Sequence, residues 1–237
     1  MSSVKTEVKQ RILLNIIKFT KNKGKFSFKE LMEYSNVSKN VLEEVLKNIN
    51  LKINQEILIN ESEKLSIAFE ALASGVNIEE LVKFLNWKDF EKFSSKILNI
   101  YGYDVIENFR IKENRKRIEI DILAIKENLI LLFDCKRWSK PLIGKNLEIA
   151  SKKQYFRAKI LEKLLEKIYN KGSIKIIILP IILSLYETKI HSNEYCTILY
   201  VRALKDFLEK INVEFYNLPY ITIFLNSKID INKIKAI

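Results

Sequence analysis

Apolar residues near the amino terminus recur at helical spacing up to Gly24, which predicts a first helix that ends at that glycine. Two shorter amphipathic stretches follow, FSFKELMEYSN and VSKNVLEEVLKNIN, and Ser27 and Glu30 have the spacing of a capping box at the start of the first of these. The next segment, LKINQEILINESEKLSI, predicts two short strands around a polar turn at residues 60–63. The first third of the chain is therefore expected to hold three small helices and a hairpin.

Three small helices followed by a hairpin form the outline of a winged helix-turn-helix, which we expect over residues 1–67. The segment AFEALASGVNIEELVKFLNW predicts two short helices that are hinged at Gly75. We expect residues 68–86 to form a helical connector to a second domain.

From Trp87 onwards the pattern is that of a layered α/β domain. WKDFEKFSSKILNIYGY predicts an amphipathic helix, and YDVIENFRI, RIEIDILAI and LILLFDCKRW predict three strands. A long helix, LEIASKKQYFRAKILEKLLEKIY, precedes the nearly continuous apolar run IKIIILPIILSLY, which is typical of a strand covered on both faces. A further strand, a helix and a last strand complete the order. This order predicts a mixed β-sheet flanked by helices over residues 87–237.

The charged residues of the central hairpin are the main candidates for chemistry. Side chains alternate along a strand, so Glu119 and Asp121 share one face, and Asp134 and Lys136 share another. A turn near Glu127 brings Asp121 beside Asp134 and Lys136. Two buried carboxylates repel each other, and Mg²⁺ or Mn²⁺ removes this conflict by binding their oxygens. We expect both aspartates to bind the metal, with the lysine placed to neutralise charge on a phosphate.

The arrangement of Asp121 followed by Asp134-Cys135-Lys136 resembles the D…(D/E)xK signature of the restriction-endonuclease-like, or PD-(D/E)xK, nuclease superfamily. The segment WKDFEKFSSKILNIYGYDVIENFRI is similar to the first helix and strand of its Mrr-like branch and of the archaeal Holliday-junction resolvases. The resemblance covers roughly residues 87–211. It implies a Mg²⁺ or Mn²⁺ site completed by Glu91, with a contribution from the Cys135 carbonyl, and a DNA substrate. The chain departs from the signature at Ile120, where the family has proline, and in having aspartate in place of glutamate in the second motif.

The helix that follows the hairpin is rich in basic residues. Residues 139–175 contain ten Lys or Arg and three Asp or Glu. A basic helix beside a metal site suits a phosphodiester backbone. The resemblance also implies a glutamine that faces the site. We therefore expect nucleic acid to be bound by Gln154, Lys152, Lys153 and Arg157 of this helix, and by Lys39 and Lys47 of the third helix of the first domain.

The whole-chain charge of +12 agrees with an anionic partner, of which nucleic acid is the commonest. The sequence has no Gly-rich phosphate loop, so we expect no nucleotide cofactor. Its apolar run over residues 176–185 is too short to span a membrane. Cys135 and Cys196 lie in apolar runs that suit reduced core residues. We expect a cytoplasmic DNA endonuclease without membrane contact. The resemblance also implies a homodimer, because cutting both strands of a DNA duplex requires two active sites.

Several alternatives are open at this point. The hairpin aspartate and lysine are compatible with an ordinary cross-strand ion pair. Glu119 competes with Asp121 for the metal, and Asp89 and Glu107 compete with Glu91. A disabled site would leave a non-catalytic DNA-binding protein, and a preference for branched DNA would make the protein a junction resolvase.

Overall fold

The computed structural model describes residues 4–113, 116–137, 143–189 and 191–236, so Trp138 of the predicted third strand and the basic Lys140 lie outside the described residues. The chain forms two compact units, Met1–Phe90 and Glu91–Ile237. Among the helices in the described part of the chain, none has the length and apolar character needed to cross a bilayer.

The helices and strands of the first unit follow one another in the order α1 (Thr6–Lys23), β1 (Lys25–Ser27), α2 (Phe28–Ser35), α3 (Lys39–Asn48), β2 (Glu56–Leu58), α4 (Glu61–Ala73) and α5 (Ile78–Val82). The chain continues through α6 (Trp87–Ile100), β3 (Asp104–Glu113), β4 (Lys116–Lys126), β5 (Leu129–Lys136), α7 (Gly144–Tyr169), β6 (Lys171–Ser184), β7 (Thr197–Tyr200), α8 (Leu204–Glu214), β8 (Ile221–Leu225) and α9 (Ile231–Lys235).

The three predicted helices of the first unit are present, but the predicted hairpin after them is wrong. The strand β2 pairs antiparallel with β1, which lies before α2, and the segment expected to form the second strand belongs to α4. The cause is a capping box: the Asn60 side chain accepts a hydrogen bond from the Glu63 N–H at 2.9 Å, and the Glu63 carboxylate accepts one from the Asn60 N–H at 2.8 Å. The polar run taken for a turn is therefore a helix start. Ser27, the expected capping residue, makes no such side-chain bond.

A buried ion pair holds α4 to the first turn of α6. The Lys64 ammonium lies 2.6 Å from Asp89 Oδ2 and also donates to the Thr20 carbonyl at 3.2 Å. Asp89 in turn exchanges hydrogen bonds with Asn86 at the start of α6. Asp89 thus makes its ion pair and hydrogen bonds within the first unit. Glu91, the other acidic residue of this helix, belongs to the second unit.

The candidate nucleic-acid residues of the first unit are exposed on α3. Lys39 begins that helix and lies 3.8 Å from Glu43, and Lys47 is in its last turn. The helix α4 crosses the boundary predicted between residues 67 and 68, and the first unit extends to Phe90.

The second unit contains the mixed β-sheet that the sequence predicts. Its strands run in the order β3-β4-β5-β6-β7, and β8 pairs with β6. The pairs β3–β4 and β4–β5 are antiparallel, whereas β5–β6 and β6–β7 are parallel, with α7 as the crossover from β5 to β6. All residues of β5 except the last are buried. The apolar face of α7 packs on the strands through Ala158, Leu161, Leu165 and Tyr169. The central strands of the sheet are therefore held by neighbouring strands and by the packing of α7.

We predict that Asn60→Ala lowers the free energy of unfolding by about 1 kcal/mol, because the helix α4 loses its capping acceptor. Asn60→Asp keeps an acceptor and should stay close to the parent, and Ser27→Ala should change little because Ser27 makes no cap bond. Urea denaturation measures all three variants. A loss in Asn60→Asp equal to that in Asn60→Ala would contradict the capping box.

Candidate active site

The hairpin β4–β5 places the two aspartates opposite each other where the strands stop pairing. The turn is at Glu127, whose φ of 53° lies in the left-handed region, and Lys126 pairs with Leu129. The register then runs to the pair Ile122 and Phe133. One further step of this register brings Asp121 to Asp134.

A side chain replaces the main-chain pairing at this point. The Cys135 N–H donates to Asp121 Oδ2 at 2.7 Å, so the carboxylate takes the hydrogen bond that a main-chain carbonyl would otherwise accept. On the other side of β4, the residue of β3 in register with Asp121 is Asn108, which has a φ of 51°. The backbone is therefore irregular on both sides of Asp121.

Two cations hold the buried Asp134. The Lys136 ammonium lies 3.0 Å from Asp134 Oδ2, and Arg157 Nη1 of α7 lies 3.0 Å from Asp134 Oδ1. The predicted lysine thus reaches the site, and its partner is Asp134. Arg157, which the sequence assigns only to nucleic-acid contact, joins the site as well.

The third acidic residue, Glu91, is buried with one carboxylate oxygen that has no partner among the described residues. Its side chain is 3% exposed, and the oxygen without a partner is Oε1. Burial, followed by the charges of Asp121 and Glu119, raises the pKa of Glu91 to about 8. Burial and the nearby charge of Asp134 raise the pKa of Asp121 to about 6, although the Cys135 N–H, Arg157 and Lys136 act in the opposite direction. The site is therefore short of positive charge.

Glu119 and Glu107, the alternative metal ligands that the sequence offers, lie outside the buried group of carboxylates. Glu119 pairs across the strands with Arg110, whose Nε lies 3.0 Å from its carboxylate. Glu107 is exposed on β3. Their charges contribute to the raised pKa of Glu91, but neither side chain is buried with the two aspartates.

The residues present are a chemical match for a hard divalent cation, although they do not form a finished cage. In the described ranges, no three His, Cys, Asp or Glu side chains gather closely enough to hold a metal ion. The donors are of the right kind, because carboxylate oxygens are the ligands that Mg²⁺ prefers and Glu91 Oε1 has no hydrogen-bond partner among the described residues. Burial and neighbouring carboxylates raise the pKa values of Glu91 and Asp121, which a bound cation would oppose. The Cys135 thiol is buried and its pKa lies well above the ordinary value, so the contribution of this residue is through its backbone.

Gln154 has a structural role that the sequence analysis missed. Its side chain is 0% exposed, and its amide nitrogen donates to the carbonyls of Leu132 at 2.6 Å and Ile181 at 3.0 Å. The amide therefore gives an additional donor to carbonyls of two neighbouring parallel strands, β5 and β6. This buried, internally bonded position does not favour direct contact of Gln154 with nucleic acid, which stays a prediction.

The same glutamine orients Arg157. Gln154 Oε1 accepts a hydrogen bond from Arg157 Nη1 at 3.1 Å, and that nitrogen also donates to Asp134. The two α7 residues are three positions apart, so both lie on the face of α7 that meets the strands. Gln154 thus connects strands β5 and β6 to the guanidinium that holds the aspartate.

The remaining predicted contacts of α7 are exposed. Lys152 lies 2.5 Å from Glu148 and above the ring of Tyr195, at 5.5 Å from its centroid. Lys153 lies beside Phe156 and Arg157 at the edge of a shallow pocket. Both lysines can therefore reach an external anion.

Among the comparisons with known proteins, a family model matches the part of the chain that contains this site. Residues 86–184 match the family model described as NERD, nuclease-related domain. No curated protein matches the chain. Among solved structures, the chain is similar to protein VC1899 from Vibrio cholerae, with 13% identity, 89% of this chain and 52% of that chain covered, and a TM-score of 0.35. It is also similar to Can2 from Sulfobacillus thermosulfidooxidans in complex with cyclic tetra-adenylate, with 11% identity, 86% and 50% covered, and a TM-score of 0.32.

The chain spans about half the length of each of these two proteins. The Mrr-like branch, the resolvase relationship and the winged helix stay predictions. The match over residues 86–184 is to a nuclease-related domain of the restriction-endonuclease-like fold, and the mixed sheet flanked by helices agrees with that fold.

Proposed function

We propose that this protein is a divalent-cation-dependent nuclease that hydrolyses phosphodiester bonds in DNA. The observation that carries the proposal is the buried group of Asp121, Asp134 and Glu91, which is short of positive charge and lies in a nuclease-related domain. A purely structural ion-pair cluster would be expected to balance its charges. This cluster leaves one buried carboxylate oxygen without a partner.

Asp121, Asp134 and Glu91 would supply carboxylate oxygens to the cation. Binding would require these side chains to approach one another more closely than they do in the structure. When bound, a divalent cation supplies a Lewis acid that activates water and withdraws charge from the phosphate. Asp121 is held for this role by the Cys135 N–H, and Asp134 is held by Lys136 and Arg157. The rigid strands keep the two carboxylates at fixed positions, which reduces the cost of reorganisation during the reaction.

Lys136 and Arg157 have the geometry to act on the phosphate. Both side chains are about a quarter exposed and both contact Asp134, so each has donors left to face a substrate. Charge that grows on the phosphate oxygens in the transition state would be stabilised by the Lys136 ammonium. Lys152 and Lys153 on the exposed face of α7 would bind the neighbouring phosphates.

Incubation of the protein with linear, plasmid and four-way-junction DNA tests the proposal, with Mg²⁺, with Mn²⁺ and with EDTA. Cleavage that requires the cation is expected. DNA binding without cleavage under every condition would contradict the proposal and would support the non-catalytic DNA-binding protein instead.

We predict that Asp121→Asn and Asp134→Asn abolish cleavage, and that Lys136→Ala lowers the cleavage rate by about 10²- to 10³-fold while DNA affinity in EDTA changes little. The lysine acts on charge that develops in the transition state, so its loss should appear in the rate. Lys163→Ala, which removes an exposed lysine of α7, is the matched control and should cut at the parent rate. Cleavage by Lys136→Ala at the parent rate would contradict the assigned role.

We also predict that the metal-free protein becomes less stable as the pH rises from about 5 to 8. Folded Glu91 and Asp121 bind protons more tightly than they do in the unfolded chain, so folding is favoured at low pH and the advantage is lost as pH rises through their raised pKa values of about 8 and about 6. Glu91→Gln should remove most of the decrease above pH 6. It should stabilise the protein at pH 8 by roughly 2–4 kcal/mol, because each pKa unit corresponds to about 1.4 kcal/mol.

Urea denaturation in EDTA at several pH values measures this effect. Glu44→Gln, at an exposed position of α3, is the control and should follow the parent curve. A parent stability that is constant or rises between pH 6 and 8 would show that Glu91 is not held in an under-compensated environment.

A further inference from the structure

A shallow pocket of about 190 Å³ lies next to the candidate active site, between β4 and α7. It is lined by Arg117, Ile118, Glu119, Lys153, Phe156 and Arg157. Two of these residues connect it to the site. Arg157 holds Asp134, and Glu119 lies two positions before Asp121 and so projects from the same face of β4.

The pocket has an exposed aromatic ring at its rim. The Phe156 side chain is 58% exposed, although it lies on a helix whose opposite face provides apolar residues to the core. An exposed phenylalanine does not need an explanation by itself. The position of this ring, however, indicates a function. The side chains that line the pocket beside it include three cations, and the ring lies next to residues proposed to act on a phosphate.

The charges around the ring favour a nucleotide. Arg117, Lys153 and Arg157 provide positive charge, and the single acidic residue of the lining, Glu119, is paired with Arg110 at 3.0 Å. A flat apolar surface bordered by cations is the combination that binds single-stranded nucleic acid, because the ring stacks on a base and the cations bind its phosphates. A base inside an intact duplex has both faces covered by its neighbours, so it cannot stack on a protein ring without leaving the helix.

We propose that this pocket binds an unpaired nucleobase of the strand to be cut, stacked on Phe156, with the adjoining phosphate held by Lys153 and Arg117. The inference rests on the proposed function and deepens it. The substrate would be single-stranded or locally unpaired DNA, with the unpaired base beside the hydrolysed bond.

Binding in EDTA tests the pocket without any cleavage. A single-stranded oligonucleotide that carries one 2-aminopurine and the fully paired duplex of the same sequence are titrated with the full chain. Stacking on Phe156 is expected to change the 2-aminopurine fluorescence of the single strand. Phe156→Ala should remove this change and weaken single-strand affinity by about tenfold or more, while duplex affinity changes less than twofold.

Two further variants separate stacking from simple apolar contact. Phe156→Trp should retain the parent affinity because it keeps a ring, and Phe156→Leu should behave like the alanine variant because it keeps apolar area without a ring. Phe224→Ala, which removes a 51% exposed phenylalanine from β8, is the matched control and should bind like the parent. Melting temperatures confirm that all four variants are folded.

The salt dependence separates the ring from the cations. Phe156→Ala should leave the slope of log affinity against log salt unchanged, because a stacked ring releases no counterions. Lys153→Ala should make the slope shallower by about 0.7 for single-stranded DNA if it neutralises one phosphate.

Unchanged single-strand affinity in Phe156→Ala would overturn the inference, and so would an equal loss of duplex affinity. Neither result depends on cleavage. A protein that cuts DNA with Mg²⁺ but shows no effect of Phe156→Ala would keep the proposed function and lose this inference. A protein that stacks the base but cuts nothing would keep the pocket and lose the proposed function.

Discussion

The candidate site depends on two buried aspartates that the β4–β5 register forces together. Burial raises the cost of ionising Asp121, and the nearby charge of Asp134 adds to that cost. The chain does not separate them. Instead it gives each one a separate stabilising group: the Cys135 N–H for Asp121, and the cations of Lys136 and Arg157 for Asp134. Since β5 is buried on both faces, a slip of the register that would relieve the repulsion would also exchange the side chains packed on its two faces.

The helix α7 connects this local conflict to the rest of the sheet. Gln154 bonds to carbonyls of β5 and β6 and to Arg157, so the guanidinium that neutralises Asp134 is fixed by the same side chain that bonds to both strands. The third carboxylate of the site has no such stabilising group for one of its oxygens. Glu91 of α6 has no partner for Oε1 among the described residues, and burial and the neighbouring carboxylates raise its pKa. A buried polar atom without a partner is costly, and its persistence beside two aspartates is best explained by a ligand that supplies the charge.

The sequence predicted those parts of the structure that depend on local periodicity. Alternation along two strands and a turn near Glu127 were enough to place Asp121, Asp134 and Lys136 together, because a hairpin register follows from its turn. The structural role of Gln154 was missed because its polarity was given more weight than its position. It falls on the stripe of α7 formed by Ala150, Ala158 and Leu161, which faces the sheet. The hairpin predicted after α3 failed for a different reason: an Asn with a Glu three positions later fits both a turn and a helix start, and the pattern alone does not distinguish them.

The distribution of paired charges favours α7 over the first unit as the main phosphate-binding surface. Four basic residues around the end of α1 make contacts within the first unit: Lys18 with Tyr34, Lys21 with the Lys83 carbonyl, Lys25 with Glu56, and Lys29 with Glu33. The two pairs with glutamates stabilise a fold little, yet they reduce the local field that attracts a polyanion. Residues 139–175 carry ten basic and three acidic residues, so pairing within that segment leaves an excess of cations. This excess follows directly after the strand of Asp134 and Lys136. A phosphodiester attracted to it would therefore be concentrated near the groups proposed to hydrolyse it.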